Sequence, residues 1–305
     1  MRKHPYYPYF AAVISMLLWG MSFVWTAVVL EVYPPVTVIF LRLLISCCFL
    51  FLFVYLTGRM QRIRKEDIWL FLGSALFNPF FYFIGENYGV LLTSPTISAV
   101  IIATIPLFAP VAAFVYLRER LNPLNITGII VSFAGIIVML VSPDLSFQTA
   151  PLGVLALIFA VFSAVAYAVF LKKLTSRYSS LFIISVQNLL GILYFSPIFF
   201  IVEWDHFRTV QPGPVVIASL FALAVLCSSV AFVLFTVAVR EIGVARSNVF
   251  ANLIPVFTGV FSFFVIAEQL GIQKIMGIII VVAGLFLSQL SRRKLLQNKN
   301  QKLSL

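Results

Sequence analysis

The sequence predicts an all-α integral membrane protein of about ten transmembrane helices, arranged as two inverted five-helix repeats (5+5) around a central cavity. Three observations predict it. The apolar content is too high for a water-exposed surface, basic clusters are confined to alternate loops, and an internal repeat divides the chain into halves of odd span number.

Of 305 residues, 62% are hydrophobic and 10% are charged, and the mean hydropathy is +1.08. A soluble domain carries about 45–50% apolar and about 25% charged residues, so most of this surface must face lipid. A span takes about 20 apolar residues. Ten runs fit, at 9–30, 36–56, 68–88, 94–117, 124–141, 151–171, 180–202, 214–238, 245–267 and 274–291. Tyr33-Pro-Pro35, the basic stretch from Gly58 to Asp67, Ser142-Pro143-Asp144 and Gln211-Pro-Gly-Pro214 separate them. Asn122-Pro123 puts a proline in the first turn of the fifth helix, where its missing N–H costs little. The N-terminus imitates a signal peptide, but its apolar run is too long, lacks a small-residue cleavage site and is followed by further spans.

Loops alternate sides, so the basic residues test the count. With the N-terminus inside, eighteen of the 21 Lys and Arg fall on inner segments, from Arg2 and Lys3 through Lys172, Lys173 and Arg177 to the tail. Arg208 and Lys274 fall outside and Arg42 lies within a span. Positive-inside bias of this strength places both termini in the cytoplasm, on a cytoplasmic (inner) membrane. The net charge of +11 is therefore topological, and no nucleic acid is expected as a partner. Cys47, Cys48 and Cys227 lie in apolar runs and suggest no disulfide or metal framework.

At a fixed offset of 149, Thr96–Ile136 and Ala245–Leu285 share fifteen identities over forty-one positions. They include Ser98/Ser247, Pro106/Pro255, Phe108/Phe257, Glu119/Glu268, Gly128/Gly277 and Gly135/Gly284. Proline, glutamate and glycine coinciding in one register are not explained by two apolar stretches alone. The halves are 9–141 and 151–291, with 292–305 a basic cytoplasmic tail. Five spans per half make the second half enter from the opposite face, an arrangement that recurs in secondary transporters with substrate bound at the midplane.

The residues that carry a family resemblance follow from this. They are Leu18-Trp-Gly-Met-Ser-Phe23, Phe40-Leu-Arg42, Pro106-Leu-Phe108, Leu117-Arg-Glu-Arg-Leu121 and Gly128…Gly135, with Pro255-Val-Phe257, Ile266-Ala-Glu-Gln-Leu270 and Gly277…Gly284 in the second half. Each half resembles an EamA-type domain of the drug/metabolite transporter superfamily. The resemblance implies a cavity lined largely by helices three, four, eight and nine, with contributions from one and six. It further implies transport of amino acids or other small metabolites, with export the expected direction.

Arg42 and Glu86 are the charges well inside apolar runs, at similar depth near one end of their helices. A charge there costs about 2.5–3.5 kcal/mol on insertion scales and faces protein or water. They are expected to pair or to face the cavity together; an ion pair of structural value or an interfacial carboxylate is the alternative. Glu86 also makes protons a candidate coupling partner. Tyr82 precedes Glu86 by one turn on the same face. Asn248 and Asn252 share a face of the ninth helix and are expected either to bind a polar substrate or to join helices. Gln187, Asn188, Ser228 and Ser229 are expected to be packing residues. Trp19 is a candidate for stacking on substrate, beside a close-packed Gly20. Pro106 and Pro255 are expected to bend helices four and nine, freeing carbonyls of Ile102 and Ala251. Glu119 and Glu268 are expected to lock turns against the dipole of the next helix.

Three function classes compete. A secondary transporter or facilitator fits the inverted repeat. A membrane-embedded enzyme needs catalytic groups near the bilayer, yet no Asp lies in a span and His4 and His206 lie outside them. A scaffold or receptor would need no polar cavity. No cofactor is expected, and no Walker motif points to ATP. Nothing in the predicted fold requires a dimer rather than a monomer.

Overall fold

A computed structural model describes residues 6–108, 123–141, 149–242, 247 and 249–303, with side chains to Ser288. Apart from short connecting turns, the described residues are helical. Seven helices are long and apolar enough to cross a membrane: α1 (Tyr7–Leu30), α2 (Pro35–Leu56), α3 (Lys65–Leu92), α5 (Pro123–Leu140), α6 (Pro151–Leu174), α7 (Ser180–Thr209) and α8 (Pro214–Val239). Three shorter apolar helices complete the described set: α4 (Pro95–Phe108), α9 (Phe250–Ile266) and α10, apolar over Ile272–Ser288.

Local chemistry sets the starts. Proline stands in the first turn of α1, α2, α4, α6 and α8, where its fixed φ fits and no N–H is lost. Ser94 caps α4 by accepting from Ile97 N at 3.3 Å, and Ser179 caps α7 by accepting from Phe182 N at 3.4 Å. Gly58, at φ 61°, supplies the left-handed residue just past the end of α2. Leu52, Ile130, Ile137 and Phe263 are among the large apolar side chains on outward faces, as lipid contact requires.

Helices from the two halves interleave. Helix α1 packs on α8 and α9, and its repeat counterpart α6 packs on α3 and α4. Each of α2, α4 and α5 packs on its own counterpart: α7, α9 and α10. Exchanging the halves leaves this pattern unchanged. The pairs are antiparallel. A Cβ on Gly128 would meet Gly284 and Ser288, and one on Gly135 would meet Gly277 and Val281. Likewise Ser46 receives a hydrogen bond from Asn188, while Leu43 lies against Gly191. The amides of Gln187 and Asn188 donate to Ser74 and Ser46 at 3.1 and 2.9 Å, so both bind helix to helix.

Helix α7 extends beyond the expected 202 to Thr209, and that extension carries a function. The start of α2 has no side-chain cap, because Pro34 occupies the cap position. Glu203, 6% exposed, caps it from α7 instead. It accepts from Val36 N at 3.3 Å, Thr37 N at 2.5 Å and Thr37 Oγ1 at 2.7 Å. Glu203→Ala would strand these donors in an apolar site, and we expect a loss of about 1–3 kcal/mol, read as a lowered unfolding temperature in detergent.

The two repeat-equivalent prolines mark breaks rather than bends within continuous helix. In α4 the regular helix ends at Ile102, and Pro106 follows a turn at Ala103–Thr104. In α9 residues Phe250–Leu253 are 3₁₀, and Pro255 stands in the first turn of the regular helix that follows. The missing N–H therefore falls where a helix is already starting, which is its least costly position.

Candidate functional site

A cavity of about 930 Å³ lies between the halves. Helices α1, α2, α3, α4, α6, α8 and α9 all contribute to its wall, and among the described residues α5, α7 and α10 do not. On α4 the wall begins at Ile102, and on α9 it ends at Ile254. Toward the other end it reaches Lys172, Lys173 and Ser176 at the exposed end of α6 and the turn that follows it. Among the described residues the cavity is thus a pouch: closed beyond the buried Arg42 and Glu86, with a basic rim at its mouth.

At the closed end the structure brings Arg42, Glu86 and Tyr82 together. Glu86 Oε2 lies 3.7 Å from Arg42 Nη1, with side chains 8% and 4% exposed. Glu86 Oε1 accepts from the Tyr82 hydroxyl at 3.0 Å, the contact expected of residues one turn apart. Arg42 Nε donates to Ser228 Oγ at 2.6 Å, and the guanidinium carbon stands 4.4 Å from the Phe83 ring centroid. Glu86 Oε2 accepts no hydrogen bond among the described residues. A buried carboxylate oxygen without a donor is costly, and here it borders a cavity with room for a ligand.

The walls are mostly aromatic and aliphatic. Trp19 donates to the Cys227 carbonyl at 3.3 Å, which holds its ring edge-on and tilted against Phe232 and Phe235 at 5.0 and 5.1 Å. Gly20 beside it is a packing residue, since a Cβ there would lie 2.7 Å from Phe257 Cβ. Tyr167, also on the wall, donates to Gln187 Oε1 at 3.2 Å. Asn78, in extended conformation at the break in α3, faces the same space. Such a site offers hydrogen-bonding and charged groups at its closed end, mostly apolar walls, and a basic mouth. It can orient an amphiphilic small molecule.

The remaining expected residues lie elsewhere or outside the described regions. Asn252 is buried, while its neighbours Ala251 and Ile254 line the cavity. Pro106 is on the wall; Pro255 is buried one position past its edge. Glu119 and Asn248 fall outside the described residues. Glu268 is held by side chains from two helices. It accepts from Thr96 Oγ1 on α4 at 2.7 Å and from Lys274 Nζ at 3.1 Å. Burial alone would raise its carboxyl, but bonds from Ser94 and Thr96 and the Lys274 ammonium hold it below the usual carboxylate value. Spacing does not single out Ser228, Tyr167 or Thr96. The one available signal is that each is a hydroxyl in an apolar run, and such hydroxyls are common at helix contacts.

A polytopic bundle whose two halves enclose an amphiphilic pouch has the architecture that membrane transporters use. The chain belongs to the EamA-like transporter family, whose model matches it twice, over residues 7–141 and 151–290. Similar chains bear it out. An uncharacterized transporter of Archaeoglobus fulgidus is 25% identical over 278 residues, covering 90% of this chain and 94% of its own length. The uncharacterized transporters YetK and YcxC of Bacillus subtilis are each 23% identical, covering 94% and 96% of this chain and 88% and 96% of their own. One protein of known crystal structure superposes with a TM-score of 0.66 at 17% identity, over 94% of this chain and 97% of its own. At that identity the likeness speaks for the fold.

Proposed function

We propose that the chain is a secondary transporter or facilitator that moves a small metabolite, an amino acid or related compound, across the cytoplasmic membrane by alternating access. In this reading all ten apolar helices cross the bilayer as two inverted five-helix domains, 9–141 and 151–291, and both termini are cytoplasmic. The observation that carries it is the pouch itself: seven helices from both halves enclose it, with an incompletely bonded ion pair at its closed end. The antiparallel pairing of repeat-equivalent helices supports it, because halves of opposite orientation can close either face at similar energy. Basic residues gather on the inner side of membrane proteins, so the mouth beside Lys172 and Lys173 opens to the cytoplasm. Loading from that face suits export. Arg42 and Glu86 bind the charged groups of the substrate, and Trp19, Phe232 and Phe235 bind its apolar part.

A metabolite panel tested for uptake into proteoliposomes, with and without a pH gradient, decides the matter. Saturable uptake of one class is the expected result, and absence of saturable uptake across the panel refutes the reading. If Glu86 also carries a coupling proton, transport by Glu86→Gln should lose most of its response to the pH gradient. An unchanged pH response removes that role.

A further inference from the structure

The face opposite the basic mouth is sealed where α4 meets α9. The two helices are antiparallel, so the start of α4 lies against the end of α9 at the sealed face, while Ile102–Pro106 and Ala251–Ile254 part to form the pouch. Helix α9 ends at Ile266; the next residue, Ala267, is left-handed at φ 52°, and Glu268 N closes the turn on Ser262 O at 3.1 Å. The carboxylate then bridges the seam to Thr96 Oγ1 at 2.7 Å, and Lys274 holds it from α10 at 3.1 Å. Thr96 is fully buried and the Glu268 side chain is 8% exposed. Hydrogen bonds to a charged acceptor in such a site are among the strong ones.

We propose that Thr96, Glu268 and Lys274 form the gate that keeps the pouch shut on the face opposite Lys172, and that their separation is a step of the transport cycle. This rests on the transporter reading above. Substrate can leave by the sealed face only if α4 and α9 part beyond Ile102 and Ile254, and the Thr96–Glu268 bond spans that seam. The repeat shows that the other face cannot be locked in the same way. At the 149-residue offset Glu268 corresponds to Glu119, but Thr96 corresponds to Ala245, Ser94 to Gly243 and Lys274 to Asn125. The carboxylate is duplicated; its two hydroxyl donors and its ammonium are not. The two closures therefore differ in strength, and the state open at Lys172 is favoured.

Side-specific labelling tests the gate. In full-length protein freed of Cys47, Cys48 and Cys227 by alanine replacement, Ala164→Cys places a reporter thiol on the α6 wall of the pouch, on neither of the two gate helices. An impermeant maleimide is applied to either face of sealed vesicles. The protein with its gate intact should label from the Lys172 face. Thr96→Val and Glu268→Gln should raise labelling from the opposite face about tenfold or more, the effect of losing a bond to a charged group. Labelling from the Lys172 face should fall in return, and Thr96→Ser should restore the original pattern. Unchanged labelling of the opposite face, or faster labelling from both faces at once, overturns the gate. Labelling from neither face with the gate intact overturns the transporter reading beneath it.

Discussion

Arg42→Leu is expected to abolish transport and to destabilise the fold by about 3–5 kcal/mol, the cost of removing one partner of a buried ion pair. The size follows from what the substitution leaves behind. Glu86 loses the only cation near it among the described residues and keeps one hydrogen bond, from Tyr82. Ser228 loses the donor that approaches it at 2.6 Å. The leucine replaces the contact with Phe83 only in part. Glu86→Gln added to Arg42→Leu removes the stranded charge, so the double variant should recover most of the stability, read as its unfolding temperature in detergent. Transport should not return, because the pouch then holds no charge at its closed end. Recovery of both together would mark the pair as structural, and recovery of neither would mean that the hydrogen bonds of Arg42 outweigh its charge. The double-mutant cycle separates these outcomes because the two residues touch and their effects are not additive.

How far this site can be read from sequence differs residue by residue. Arg42 and Glu86 are legible because charge in an apolar run is expensive and because their depths match. The Tyr82 contact is legible because it is one helical turn away. Ser228 is not, since a serine that joins helices and a serine that orients an arginine 186 positions distant look alike in the chain. Glu203 is hidden for a related reason: Pro34 leaves the start of α2 uncapped, and the cap comes from residue 203 through tertiary packing that no local pattern records. Glu268 is legible in part. A carboxylate between two helices suggests a partner on the next one, and Lys274 is there, but the bond to Thr96 on α4 leaves no local pattern. The seven helices long enough to cross a membrane are well anticipated, because apolar runs, prolines and basic loops act over a few residues. The interior polar contacts depend on which helices meet.

The repeat makes the second large effect predictable. Gly284→Ala should cost at least about 1–3 kcal/mol, the range for overpacking a close-fitted interior, because the obstruction is backbone. A Cβ at this position would stand 2.7 Å from Gly128 O and 2.7 Å from Ser132 N, as well as 2.4 Å from Ser132 Oγ. A side chain can rotate away; two backbone atoms of a helix cannot, so α5 and α10 must separate. Separation also weakens the bonds across the seam, from Ser132 Oγ to Val281 O at 3.2 Å and from Asn125 Nδ2 to Ser288 O at 2.9 Å. Gly259→Ala is the control within a helix. Its new methyl would meet nothing closer than 3.8 Å, and alanine is the better helix former by about 1 kcal/mol, so that variant should be neutral or slightly more stable. The seam contributes no residue to the pouch. A folded Gly284→Ala protein should therefore unfold at lower temperature yet bind substrate with unchanged affinity. Weakened binding at unchanged stability would mean that the α5–α10 seam shapes the pouch rather than framing it.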